Sequence, residues 1–225
     1  MVLYRLFITD ITDYGNQRCI AGWDVGRGKM IRPEPAPGSF WPVGAVGPHA
    51  QFELGALVEF DACVPKTPTG YPHQTEDRVV TGASRRLRIL TTSERRQILD
   101  ETLSANLDDL YEGNLQVENR RGFVPLGVNC RSLGAVEVAA AEVRIFEDTD
   151  WGKKRLRCQM QHGGSMIMPT VTSTLIRQRY RDEGIMAVLR QLAPARTLHL
   201  RVGLARAFPQ KPDRCYIQVN DIFPI

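Results

Sequence analysis

Apolar and polar positions along this chain alternate mostly with a period of two, the signature of half-buried strands, and take up helical spacing in only a few places. Val2 to Thr12 reads as a first strand, closed by the turn Asp13-Tyr14-Gly15-Asn16. Cys19 to Pro33, CIAGWDVGRGKMIRP, reads as a hairpin whose polar tip is Gly26-Arg27-Gly28-Lys29. That tip lacks the G-x-x-x-x-G-K-[ST] spacing of a phosphate loop and sits between strands, so it predicts a plain turn. Residues 33–48 hold Pro33, Pro35, Pro37, Pro42 and Pro48 among glycines, which predicts a long loop without regular structure. Leu57 to Val64 and Arg86 to Leu90 are strand-like, with a second proline-bearing loop from Pro65 to Pro72. Thr91 with Glu94 forms a capping box, and Leu99, Leu103, Leu107 and Leu110 predict one long helix that Gly113-Asn114 ends.

Asn114 to Arg131 is a polar connection, and the strand pattern then starts again. From Leu133 to Phe146 the apolar set begins on one parity, at Val136 and Val138, and moves to the other at Val143 and Ile145. Such a switch predicts a bulge or strong coil, as a first strand serving both sides of a small barrel needs. In the following hairpin Leu156, Cys158 and Met160 share one face and Arg155, Arg157, Gln159 and Gln161 the other, before the turn His162-Gly163-Gly164 leads into Met166 to Val171. Ile185, Val188, Leu189 and Leu192 predict a helix that Pro194 stops. Two closing strands carry Leu198, Leu200, Val202 and Leu204, then Cys215, Ile217 and Val219.

The outline of a long strand, a hairpin, further strands and a helix thus occurs twice. It predicts two small OB-like β-barrels in tandem, residues 1–115 and 116–225, in a mainly β chain with a few helices. SH3-like barrels and mixed sandwiches would show similar short strands.

Composition narrows the chemistry. No run approaches the roughly 18 apolar residues of a membrane span, and the start, broken by Arg5 and Asp10, is unlike a signal peptide. A cytoplasmic protein is expected, with no membrane association. The five cysteines never form C-x-x-C and the four histidines are scattered, which predicts reduced thiols and implies neither a metal site nor a cofactor. The net charge of +4 is uneven: residues 1–112 sum to −3 and residues 113–225 to +7. Lys153, Lys154, Arg155, Arg157, Arg177, Arg179 and Arg181 fall in a stretch without one acidic residue. Arginine clustering suits bidentate phosphate contact and stacking on bases, although a coding bias towards arginine would raise the count as well.

Cys19-Ile20-Ala21-Gly22, Met30-Ile31-Arg32-Pro33, His73-Gln74-Thr75-Glu76-Asp77 and the strand Cys215 to Asn220 together resemble a prokaryotic group of dual OB-fold domain proteins. The resemblance implies nucleic-acid binding, and an accessory place in a defence or mobile-element system with protein partners of its own.

Two sets of residues are candidates for function. Arg155, Arg157, Gln159, Gln161, Arg177, Arg179, His199, Arg201, Tyr216 and Gln218 offer cations for phosphates, amides for base edges and a ring for stacking, which is what single-stranded DNA or RNA requires. An ordinary solvated sheet face would use the same residue types. Arg32, His73, Glu76 and Asp77 form a polar cluster with two readings. Either Arg32 pairs with one of the carboxylates and locks the loop, or the histidine and carboxylates serve a metal-dependent nuclease or nucleotide-processing enzyme. A third possibility for the whole chain is a protein-binding adaptor, docking through Phe40 and Trp41 of the proline-rich loop.

Overall fold

The computed structural model describes residues 1–66, 71–150 and 152–225, the side chains of 72, 74 and 150 excepted. Residues 67–70 of the loop expected at 65–72, the side chain of Gln74 and Trp151 therefore lie outside the described residues. The chain divides into two compact units, Met1–Thr69 with Gln74–Leu103, and Gly70–His73 with Ser104–Ile225.

In the first unit β1 (Val2–Tyr14) is shared between two neighbours. Its opening half, to Phe7, pairs with β5 (Ala56–Cys63), and Leu6 onward pairs with β2 (Gln17–Asp24). The core set changes parity where the strand changes partner, from Tyr4, Leu6 and Ile8 to Ile11, across a register shift between Ile8 and Asp10. One extra residue in a strand produces that shift of face and adds the coil that a small barrel needs. β2 pairs with β3 (Lys29–Glu34), β3 runs parallel to β6 (Asp77–Val80), and β6 pairs with β5. β5 returns to β1, so five strands close a ring. Counted in chain order the ring runs first, second, third, fifth, fourth, with the third and fifth parallel, which is the Greek-key connectivity of an OB barrel. β7 (Arg85–Ile89) adds to β5 outside it.

The proline-rich connection is more ordered than its composition predicts. β4 (Trp41–Pro42) pairs with β2, and a 3-10 turn covers Val43–Ala45. Trp41 is a core residue, donating from Nε1 to the Pro33 carbonyl at 2.8 Å and meeting the edge of Phe52. It is therefore not presented for docking. Phe40 stacks on Tyr14 at 4.2 Å.

The single long helix predicted from Thr91 is two. α1 (Thr92–Glu101) carries the expected capping box, then stops as the Thr102 hydroxyl bonds back to the Leu99 carbonyl. After β8 (Leu103–Ser104), Asn106 caps α2 (Leu107–Leu110) by accepting the Asp109 N–H at 2.9 Å. A side-chain oxygen in capping geometry demands extended backbone at its own residue, so Asn106 starts a new helix instead of continuing the old one. Leu107, Leu110, Tyr111 and Leu115 pack in the core of the second unit, which places a division drawn at 115/116 inside that unit.

The second unit repeats the ring. The strand predicted from Leu133 to Phe146 is β11 (Leu133–Ala139) and β12 (Arg144–Asp150), separated by a 3-10 turn at Ala140–Glu142 rather than a bulge. β11 pairs with β16 (Thr197–Leu204), while β12 pairs with β13 (Lys153–His162). β13 continues through its turn into β14 (Ser165–Ile167) and pairs with β15 (Thr170–Val171). β15 runs parallel to β17 (Arg214–Pro224), and β17 pairs with β16. With β11 and β12 taken as one broken strand, the ring order is again first, second, third, fifth, fourth. Both units are thus curled, barrel-like sheets in a mainly β chain.

Two features of this unit are not anticipated. α3 (Thr174–Glu183), capped by Ser173 and ended at Gly184, precedes the predicted α4 (Ile185–Leu192) between the third and fourth ring strands. Its Tyr180 hydroxyl donates to Glu147 of β12, which pushes the Tyr180 pKa up to about 12 and, with Lys154, holds the Glu147 carboxyl below its ordinary range. The supposed connection from Asn114 contains the hairpin β9 (Gln116–Glu118) and β10 (Arg121–Pro125), and β10 pairs with β17. None of the five cysteines is in a disulfide, and burial pushes the Cys158 thiol up to about 12. No helix among the described residues is long and apolar enough to cross a membrane.

Candidate nucleic-acid interface

In the second barrel one row of residues crosses four strands: Arg157 of β13 opposite Thr170 of β15, Thr170 beside Gln218 of β17, and Gln218 opposite Gly203 of β16. Arg157 is buried and fixed, donating to Thr170 Oγ1 at 2.6 Å and Asp148 Oδ2 at 3.2 Å. Gln218 Nε2 donates to Asn220 Oδ1 at 3.1 Å. That bond leaves the Gln218 carbonyl oxygen and its second amide hydrogen for another partner. Gly203 makes room for Asn220: a Cβ there would lie 2.6 Å from Asn220 Nδ2 and 3.1 Å from Leu133.

Beside this row opens a cleft of about 580 Å³, its solvent-facing mouth included. Arg155, Arg157, Thr170, Tyr216 and Gln218 line it from ring strands, Thr172 from just beyond β15, Arg121 and Gly122 from β10, and Phe208 from the loop that joins β16 to β17. Arg155 is half-buried and has no hydrogen-bond or ion-pair partner among the described residues, so its charge is available in a way that the Arg157 charge is not. Phe208 is 43% exposed and lies 6.2 Å from the Tyr216 ring. Tyr216 in turn meets Phe123 edge-on at 6.0 Å. The Arg214 guanidinium covers Phe123 at 4.4 Å and is held there by Glu118 and Asp213, hydrogen bonds that raise its pKa further. An exposed ring beside a half-buried one, an unpaired guanidinium and an oriented amide in one cleft can stack a base, meet a phosphate and read a base edge.

The sequence-predicted residues divide accordingly. Arg155, Arg157, Tyr216 and Gln218 come together in the cleft. Gln159 and Gln161 share their strand but do not line it, and Arg177 and Arg179 lie on α3, where Arg179 bonds to Gln191 and pairs with Glu183 at 3.7 Å. His199 and Arg201 are fully buried, contrary to the expectation of an open sheet face. β16 is covered on both sides, so its polar parity does not mark solvent. Arg121, Gly122, Thr170, Thr172 and Phe208 were not anticipated. For Phe208 a signal exists, an aromatic set among Arg206, Lys211 and Arg214 in a proline-bearing loop.

The other candidate cluster is closed. In the first unit Arg32 Nη1 meets Asp77 Oδ1 at 2.7 Å across the parallel strands, with both side chains almost wholly buried. Burial alone would lower the Arg32 pKa, but the Asp77, Cys19 and Glu76 charges outweigh it and hold the guanidinium above its ordinary value. Glu76 Oε2 accepts the Thr75 hydroxyl at 2.8 Å, and its carbonyl accepts the Arg32 N–H at 2.9 Å. His73 belongs to the second unit, its Nε2 lying 2.7 Å from the Leu204 carbonyl oxygen. Among the described residues no group of three or more His, Cys, Asp and Glu side chains is placed to hold a metal ion.

A family model described as the dual OB-containing domain matches residues 6–222. The chain belongs to this family. The match spans both barrels, in agreement with the repeated ring order. Comparison with curated proteins finds no match.

Proposed function

We propose that the second barrel of this dual OB-domain protein binds single-stranded nucleic acid in the cleft between β13, β15, β17 and the loop carrying Phe208. The observation that carries this reading is the convergence of Arg155, Gln218, Tyr216 and Phe208 on one opening. OB folds take oligonucleotides on the face of their second and third strands and on the loop between the fourth and fifth, and all three line this cleft, together with the fifth strand and β10. Phe208 and Tyr216 stack bases, Arg155 meets phosphate, and Gln218, oriented by Asn220, contacts a base edge. Paired bases cannot reach the rings, so duplexes bind more weakly. The +7 charge of residues 113–225 adds a sequence-independent attraction.

The test is fluorescence anisotropy of the whole protein with labelled single- and double-stranded DNA and RNA over a salt series. Single strands should bind with affinity falling steeply in salt, and Arg155→Ala should flatten the slope by about 0.7. Absence of single-strand binding, or an affinity unmoved by Arg155→Ala combined with Phe208→Ala, would sink the proposal. An accessory role in a prokaryotic defence or mobile-element assembly rests on the family resemblance. Its test is whether deleting the gene changes susceptibility to phage or plasmid entry.

A further inference from the structure

The hairpin of β9 and β10 turns through two residues, Asn119 and Arg120, with φ of 51° and 62°. Two consecutive left-handed residues make a type I′ turn, whose preferred sequence is Asn-Gly. A Cβ at the second position crowds the next carbonyl oxygen, so glycine suits it best. Arg120 occupies it instead. Its side chain is exposed and has no hydrogen-bond or ion-pair partner among the described residues, so no polar contact of that side chain compensates the unfavourable backbone. Its main chain is anchored at the cleft: the Arg120 carbonyl accepts the Met168 N–H at 2.8 Å, and Met168 and Arg121 both line the opening.

We propose that Arg120 is a phosphate-binding residue at the lip of this cleft, kept in a left-handed turn that glycine would fill better, so that an unpaired guanidinium stands next to Arg121. The inference rests on the single-strand reading given above and adds a contact to it. Backbone held in a sparsely populated region is a feature of ligand sites, where position matters more than local stability. An arginine fork matches phosphate oxygens in a way that its neighbour in the turn, Asn119, cannot. The β9–β10 hairpin then has a role as one wall of the site as well as a neighbour of β17.

The substitution Arg120→Gly separates this role from a structural one, because the two predict opposite signs. The whole protein is followed by thermal melting and by anisotropy with labelled single-stranded DNA and RNA over a salt series. Arg120→Gly should leave the melting temperature unchanged or higher, weaken binding several-fold, and flatten the salt slope by about 0.7, one single-strand phosphate contact. Arg120→Lys should keep the slope. A melting temperature that falls in Arg120→Gly, or an affinity and slope equal to the unsubstituted protein, overturns the inference while leaving the cleft reading in place. No binding by the unsubstituted protein overturns both.

Discussion

The two barrels share a ring order and differ most where the third and fifth strands run parallel. In the first, β3 and β6 bring Arg32 against Asp77, a buried ion pair that closes the interior of the sheet. In the second, β15 and β17 bring Thr170 beside Gln218, both half-exposed, and the sheet opens into the cleft. Identical connectivity therefore yields a sealed face in one case and an open one in the other. A buried charge pair needs close geometry and complete hydrogen bonding to offset its desolvation, whereas neutral hydroxyl and amide groups tolerate water and remain available to a ligand.

The connections between third and fourth ring strands also differ. The first barrel crosses by a proline-rich segment pinned by Trp41, the second by α3 and α4. Proline fixes the first segment without an α-helix, while in the second Ser173 starts α3 and Gly184 divides it from α4.

The largest expected effect lies in the sealed barrel. Arg32→Ala should cost about 3 kcal/mol or more in urea unfolding, because it strands a buried carboxylate, while the double change Arg32→Met/Asp77→Leu should recover most of the loss. Thr170→Ala at the matching place in the open barrel should cost only about 1 kcal/mol, since Arg157 keeps Asp148. Equal losses would break the contrast.

Next in size is the packing at the strand that each barrel shares between its two sides, tested from Gly22 of β2 against β1 and from Gly134 within β11. A Cβ at Gly22 would lie 2.2 Å from the Phe7 carbonyl oxygen, which is main chain and cannot move aside. A Cβ at Gly134 would lie 2.4 Å from a Leu110 methyl carbon, which can rotate. Gly22→Ala should therefore cost about 3 kcal/mol and Gly134→Ala about 1 kcal/mol, measured by chemical denaturation. The reverse order would mean that the coil of β1 is less tightly packed than its bulge implies.

Removing rings tests which barrel holds the ligand. Phe208→Ala should weaken single-strand binding by about 1–3 kcal/mol with little change in stability, whereas Phe40→Ala, which stacks half-buried under the exposed Tyr14 of the first barrel, should leave affinity unchanged. Loss of affinity on Phe40→Ala alone would move the site to the first unit.

The smallest effect is a pH dependence in α1. The Glu94 carboxyl is held down to about 2, first by Arg88, then by the Thr91 N–H and hydroxyl. A folded value below the unfolded one means that the contribution is complete above about pH 5 and fades as pH falls towards 2. Glu94→Gln should flatten the stability profile of the first unit within that window and leave it parallel to the original above it. A difference in slope confined to neutral pH would exclude this origin.

Much of this architecture is written in local pattern. Alternation gives the strands, the Thr91-Glu94 box starts α1, and the parity switch after Val138 marks a first strand that must serve two neighbours. The same switch stands in the core set Tyr4, Leu6, Ile8 and Ile11, but Leu3 and Phe7 are apolar too, so the double role of β1 shows only once the core is known. Pattern failed where competing signals had similar weight. The leucines at 99, 103, 107 and 110 fit one helix, yet Asn106 caps a second, because its side chain satisfies an N–H that a continuous helix would have bonded through the main chain. His199 and Arg201 look solvent-facing by parity and are buried, because a period of two says which face a residue occupies and not what covers that face. The cleft itself depends on tertiary structure. Its walls come from β10, β13, β15, β17 and a loop, separated along the chain by up to a hundred residues, and only closure of the ring brings Arg155 near Tyr216 and Phe208. Local sequence determined the strands, most of the turns and the charge of the second half. Which cations stay unpaired was decided by long-range packing, since a partner such as Asp148 for Arg157 or Asp77 for Arg32 exists only after the strands are in register.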